Sequence, residues 1–235
     1  MRALVKETRE VAQGTLLVVF DLQGEEVDFR PGQYFWVELL ESQHEDERGL
    51  RRHFSVVTSP TERGVLGVCT RVRDTAFKKT LAELKVGDEV EVEPPKGDYV
   101  LPEDTTPHYV FVAGGIGITV FRSMLRFIAD RSLPYRVTLV YSNRDRESAA
   151  FLDELEELEE RIDGLTVVLT MTDEPDWAGE TRHLDANVLG ELVGELDGKT
   201  FLVAGPPQMA EAVADSLTDA GLPEDRVVAD KFSGY

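Results

Sequence analysis

The chain has 235 residues, 42% hydrophobic and 30% charged, enough apolar content for packed cores and enough length for two domains. Forty-five acidic against 25 basic residues leave a net charge of -20, which argues against binding nucleic acid or an anionic membrane. The single cysteine, Cys69, excludes an intrachain disulfide, a cysteine-ligated iron–sulfur cluster and the usual structural zinc.

The first stretch, "MRALVKETREV", lacks the apolar core of a secretory signal, and no segment approaches the roughly 20 apolar residues of a membrane span. A soluble cytoplasmic protein is expected. The acids are spread along the chain ("ESQHEDER", "FLDELEELEERID", "VADSLTDAGLPED"). Such solvated carboxylate surfaces are similar to those of proteins from salt-loving organisms, an ordinary acidic surface being the alternative.

Short strands come first: "ALVKETREV", "TLLVVFDL", "QYFWVEL", "RHFSVVTS", "VLGVCTRV" and "DEVEVEPP", separated by the turns "RPGQ", "SPTERG" and "VGDE". Six such runs predict a six-stranded antiparallel β-barrel, because closure removes the exposed sheet edges. Only "TAFKKTLAEL" breaks the pattern, with Phe77, Leu81 and Leu84 on one helical face. Cys69, inside an apolar strand, reads as a small core residue.

After "GDYVLPEDTTPH" the period changes. "YVFVAGG", "RVTLVYSN", "LTVVLTM", "TFLVAGPP" and "RVVADKF" read as buried strands. They alternate with the helical runs Val120–Ile128, "AAFLDELEELEERI", "LDANVLGELV" and "MAEAVADSLTDAG". The alternation predicts an α/β domain with a five-stranded parallel sheet. The domains are placed at 1–103 and 104–235.

Candidate ligand groups gather at three strand ends. "AGGIGITV" puts Gly115 and Gly117 in front of a helix, where glycines admit a phosphate and the helix N-terminus offers free N–H groups. Val120 stands where a dinucleotide fingerprint has its third glycine, so plain structural glycines remain an alternative. The second strand ends in Ser142, Asn143 and Arg144, with Arg146 close behind, where an acid would favour NAD and an arginine a 2′-phosphate. "VAGPPQM" makes a rigid turn at Gly205 and Pro206.

In the barrel half, alternation puts Arg52 and Phe54 on one strand face and His53 and Ser55 on the other. "CTRVRDTAFKKTL" collects Arg71, Arg73, Lys78 and Lys79, unusual in so acidic a chain, beside a helix start that Asp74 or Thr75 could cap. A charge-neutralising surface patch is the alternative.

Together these stretches resemble the ferredoxin–NADP(+) reductase-like flavoproteins over nearly the whole chain. The family's R-x-Y-S flavin motif matches Arg52-His53-Phe54-Ser55, and its G-x-G-x-T-P turn matches Gly115 to Val120. "GPPQM" is similar to its nicotinamide-side turn and "FSGY" to its aromatic C-terminus. The resemblance implies FAD in residues 1–103 and NADP(H) or NAD(H) in 104–235.

It also implies flavin contacts from Arg52, His53, Phe54, Ser55, Thr70, Arg71, Ala76, Phe77 and Lys78. Nucleotide contacts would come from Gly115, Gly117, Thr119, Ser142, Asn143, Arg144, Gly205, Pro206 and Met209. Arg52 would pair with a flavin phosphate, the helix start would hold the pyrophosphate, and Ser55 would lie near N5. Thr119 would sit beside the nicotinamide and Tyr235 would cover the flavin ring, so Ser55, Thr119 and Tyr235 are the expected catalytic residues.

Three positions depart from the family pattern: Phe54 for tyrosine, Val120 for proline and Ala204 for cysteine. No catalytic histidine, carboxylate or metal is called for, because the hydride chemistry belongs to the cofactors. His44, His53, His108 and His183 read as surface or structural residues.

The expected activity is FAD-dependent NAD(P)H oxidation with electrons passed to ferredoxin or another small electron carrier, an acidic one needing a basic patch around Arg51, Arg71, Arg73, Lys78 and Lys79 or high salt to dock. A flavin reductase or an oxygenase reductase component is the enzymatic alternative. A nucleotide-sensing module is the non-enzymatic one, disfavoured by the presence of both Ser55 and Thr119.

Overall fold

The computed structural model describes residues 1–232 of the chain. It divides into two compact units, one comprising Met1–Leu101 with Arg122–Phe127, the other Pro102–Phe121 with the residues from Ile128 onward. No helix among the described residues is long and apolar enough to cross a membrane.

The first unit holds β1 (Arg2–Ala12), β2 (Thr15–Asp21), β3 (Tyr34–Leu39), β4 (Arg51–Ser55), β5 (Val65–Arg71), α1 (Ala76–Glu83) and β6 (Glu89–Val92). The six strands form one antiparallel sheet in the order β4-β3-β6-β1-β2-β5. Its two ends meet just past β4. Val56 N–H donates back toward β3, to Gln33 O at 2.9 Å, whereas Val57 N–H donates across to Gly67 O on β5 at 3.0 Å. Successive N–H groups of an extended chain point in opposite directions, and that alternation closes the barrel. It also ends β4 at Ser55, earlier than the apolar run "VVTS" suggests.

Alternate residues of every strand, among them Val5, Phe20, Phe35, Val37, Phe54, Val68 and Val92, fill one core with Phe77 and Leu81 of α1. Cys69 belongs to the buried set, and burial pushes its thiol up to about 12. This is the behaviour of an inert packing residue.

The second unit holds β7 (His108–Gly114), α2 (Ile118–Arg131) apart from its Arg122–Phe127 stretch, β8 (Arg136–Asn143), α3 (Leu152–Arg161), β9 (Leu165–Met171), α4 (Ala186–Val193), β10 (Lys199–Gly205), α5 (Pro207–Asp219) and β11 (Val227–Lys231). Its five parallel strands run in the order β11-β10-β7-β8-β9. Strand order therefore reverses between β7 and β10, and their carboxyl ends are the switch point at which such sheets take ligands.

Two helix starts differ from the periodic pattern. A 3-10 turn at Gly115–Gly117 feeds straight into α2, so that helix begins at Ile118 rather than Val120. Phe151 adopts the left-handed conformation at φ 66°, and Ala150 N–H donates to the Tyr141 hydroxyl at 3.0 Å. Both hold the two alanines outside α3, which starts at Leu152.

Candidate functional site

In the first unit, β4, β5 and the start of α1 bring basic groups together. Arg52 Nη1 donates to three carbonyls, those of Arg48 at 2.7 Å, Gly49 at 3.2 Å and Arg51 at 2.8 Å. Its guanidinium carbon lies 5.6 Å from the Phe77 ring centroid. Its other terminal nitrogen, Nη2, is buried without a hydrogen-bond partner. An orphaned donor on a permanently charged group is costly, and a phosphate oxygen is the natural acceptor for it.

Lys78 is only 5% exposed. Burial, then the charges of Arg73 and Arg52, push its ammonium down to about 8. Three cations that disfavour one another mark a place suited to an anion. Thr75 caps α1 by accepting from Lys78 N–H at 3.3 Å, while Asp74 pairs with Lys79 instead. Ala76 N–H, the first free donor of the helix, goes to Asp46 Oδ2 at 2.8 Å. That bond, an Arg48 N–H bond and the Arg52 and Arg48 charges hold the Asp46 carboxyl below the usual range against a smaller effect of burial.

The remaining flavin-side residues fall as follows. Ser55 is half-buried, and its hydroxyl is unpaired among the described residues. Thr70 is buried in β5 and Arg71 half-buried at its end. Phe54 is 4% exposed and packs on Phe77 with centroids 5.5 Å apart, so its ring faces the core. His53 lies on the opposite strand face between the rings of Tyr34 at 5.4 Å and Trp36 at 5.0 Å, and burial lowers its imidazole.

The basic cluster expected from sequence is smaller than it reads. Arg51 is neutralised by Glu93 and stacks 4.4 Å from the Trp36 centroid, and Lys79 is neutralised by Asp74 at 2.5 Å. Exposed positive charge is left chiefly to Arg73.

In the second unit, the turns after β7 and β10 interlock. A Cβ on Gly117 would stand 2.0 Å from Ala204 O, and one on Gly205 would meet the Gly114 backbone at 3.1 Å. Gly115 has φ 49°, a left-handed conformation that glycine adopts without strain. Thus Gly117 is demanded by packing and Gly115 by the turn itself. Thr119 is 2% exposed, and its hydroxyl donates to Ile116 O at 3.0 Å, fastening the turn. Val120 and Ala204 are both fully buried in these elements. Pro206 is exposed and Met209 half-buried, with Met209 Sδ 2.8 Å from where a Gly114 Cβ would be.

At the end of β8, Ser142 is half-buried, and Asn143 is 5% exposed with both amide atoms unpaired. Arg144 is exposed and has no side-chain partner among the described residues. Arg146 is held: Nε donates to Glu174 Oε1 at 2.6 Å, its N–H donates to Glu174 Oε2 at 2.9 Å, and its guanidinium stands 5.7 Å from the Trp177 centroid. Sequence reading missed Asp46, Glu174 and Trp177, whose side chains meet Ala76 and Arg146, 28 or more positions away. Tyr235 lies outside the described residues.

Comparison with known proteins finds two domain families along the chain. Residues 2–100 match the oxidoreductase FAD-binding domain and residues 111–215 the oxidoreductase NAD-binding domain. The chain is 27% identical over 199 residues to NADH-cytochrome b5 reductase 1 of Cryptococcus neoformans, covering 79% of this chain and 62% of that one. Across several curated relatives it spans 52–62% of their length. The Amycolatopsis cytochrome P450 reductase GcoB superposes with TM-score 0.85 at 26% identity, over 99% of this chain and 70% of that one. A ferredoxin NADP+ reductase of Neisseria gonorrhoeae with bound FAD and NADP superposes with TM-score 0.82 over 98% of each chain. At 19% identity that likeness shows the fold alone.

Proposed function

We infer that this chain, which belongs to the ferredoxin reductase-like family of FAD- and NAD-binding oxidoreductases, moves electrons from NAD(P)H through FAD to a one-electron acceptor, ferredoxin. The observation that carries this reading is the buried, unpartnered Arg52 Nη2 beside Lys78 and the α1 N-terminus. That constellation fits a pyrophosphate.

FAD supplies a hydride acceptor at N5 and releases electrons singly; the residues supply placement. Arg52, Lys78 and the first α1 amides hold the phosphates, and the unpaired Ser55 hydroxyl is available to N5. Thr119, by fastening the Gly115–Gly117 turn, acts as a positioning residue for the nicotinamide. Tyr235 is proposed to cover the flavin ring.

The domains proposed are 1–103 for FAD and 104–235 for NAD(P). Anaerobic stopped-flow reduction with NADH or NADPH, followed by reoxidation, tests the whole reading. Ferredoxin should reoxidise the reduced protein faster than free FMN does. The reverse order identifies a flavin reductase instead. A second reading, service to an oxygenase, is favoured by the likeness to a cytochrome P450 reductase. It predicts fast transfer to a P450 and none to ferredoxin.

For the nucleotide, the free Arg144 and the absence of an acid at the end of β8 support a preference for NADPH. Because Glu174 occupies Arg146, the preference rests on Arg144. Arg144→Ala should raise KM for NADPH about ten- to a hundredfold, the worth of a charge-assisted phosphate contact, and leave NADH nearly unchanged. Equal effects on the two nucleotides would show that Arg144 does not read the 2′-phosphate.

A further inference from the structure

The segment between β3 and β4 is tied to α1 at three places. Ser42 Oγ lies 2.5 Å from Thr80 Oγ1, His44 Nε2 lies 2.8 Å from Glu83 Oε1, and Asp46 Oδ2 accepts from Ala76 N–H at 2.8 Å. Its farther end engages Arg52, which donates to the carbonyls of Arg48 and Gly49. One strap of chain thus occupies both elements to which the flavin phosphates are assigned, and it places a carboxylate on the leading amide of the helix.

We propose that the Ser42–Gly49 strap is an internal competitor for the flavin pyrophosphate: Asp46 holds the α1 seat in the flavin-free chain and leaves it when FAD loads. The inference rests on the assignment of that seat to FAD. Ala76 has one N–H to give, so carboxylate and phosphate cannot both take it. Two anions in the same cradle also repel each other. Release of the strap frees Arg52 Nη1 from two of its three carbonyls, beside the Nη2 that already lacks an acceptor.

The strap also sets a negative charge beside Arg52 and Arg48. Asp46 supplies it, accepting from Arg48 N–H with its second oxygen at 2.8 Å. The cost falls on FAD affinity, which equals the intrinsic affinity multiplied by the fraction of molecules with the strap released. A flavin without phosphates does not meet Asp46 and is indifferent to it.

The full chain, stripped of flavin, is titrated with FAD and with riboflavin, and binding is followed by flavin fluorescence. Asp46→Ala should tighten FAD about tenfold, as expected if the strap is closed in about nine molecules of ten, and leave riboflavin unchanged. Unchanged or weaker FAD binding by the variant overturns the proposal. FAD binding to neither chain removes the flavin assignment on which it rests.

A second measurement needs no variant. In the wild-type chain, FAD should accelerate hydrogen exchange of the Arg48 amide, which donates to Asp46, and of its neighbours at 42–49. Slower exchange there on loading makes the strap a clamp rather than a competitor and overturns the proposal.

Discussion

Arg52→Ala is expected to weaken FAD retention about ten- to a hundredfold, the 1.5–3 kcal/mol of a charge-assisted phosphate contact. Arg52 is the only cation of the group with a buried nitrogen lacking any partner, so a phosphate gains a bond there without breaking one. The loss should be specific to phosphate, with FAD affinity falling and riboflavin affinity holding. Arg52→Lys keeps a charge but loses the planar fork, and its affinity should fall between the two. Burial and Arg73 do most to push the Lys78 ammonium down, so removing Arg52 relieves only the smallest of the three effects and offsets little of the loss. Parallel losses of FAD and riboflavin would assign Arg52 to holding the Arg48–Arg51 backbone rather than to the cofactor.

Gly117→Ala is expected to damage the second unit more than an ordinary glycine replacement. The added Cβ would stand 2.0 Å from Ala204 O, 2.5 Å from its carbonyl carbon and 2.9 Å from Gly205 N. All three are backbone atoms, so no rotamer change relieves the clash. Only separation of the β7 turn from β10 does, and that opens the switch point between the central strands.

The expected cost is about 3 kcal/mol or more, at or beyond the upper end of overpacking, which lowers Tm by roughly 6–12 °C in a chain of this size. NAD(P)H binding should fall with it. Gly115→Ala carries the φ 49° penalty, about 1 kcal/mol from backbone strain. A Gly117→Ala protein that melts with wild type would show that the two turns are not in contact.

Both results concern features that differ in how far they can be read from the chain. Gly117 was visible as part of a G-x-G turn, with phosphate approach and plain packing as competing reasons. The Ala204 carbonyl, 87 positions away, supplies the packing reason. Arg52 was visible within R-x-Y-S, but the single unpartnered nitrogen depends on where the Arg48 and Gly49 carbonyls fall. The positive cluster was overestimated because Glu93, which neutralises Arg51, comes from β6 and its flank, 42 positions on. Asp46 read as one acid among many in "ESQHEDERGL", and only the return of that loop to α1 sets it apart.

What the sequence by itself determined is what local periodicity can carry. An alternation of period two gives a barrel of short strands, and apolar strands separated by helices give a parallel sheet, because each element must bury its own apolar face whatever its neighbours are. The order of the motifs along the chain likewise carried the family. The tertiary structure alone decided which strand ends lie side by side, where β4 stops, and which charges remain free. Arg144 and Arg146 are two residues apart and alike in sequence, yet only Arg146 meets a carboxylate, from a loop 28 positions away. Ion pairs and close backbone approaches depend on distances between residues remote in sequence, and those distances exist only once the sheets have formed.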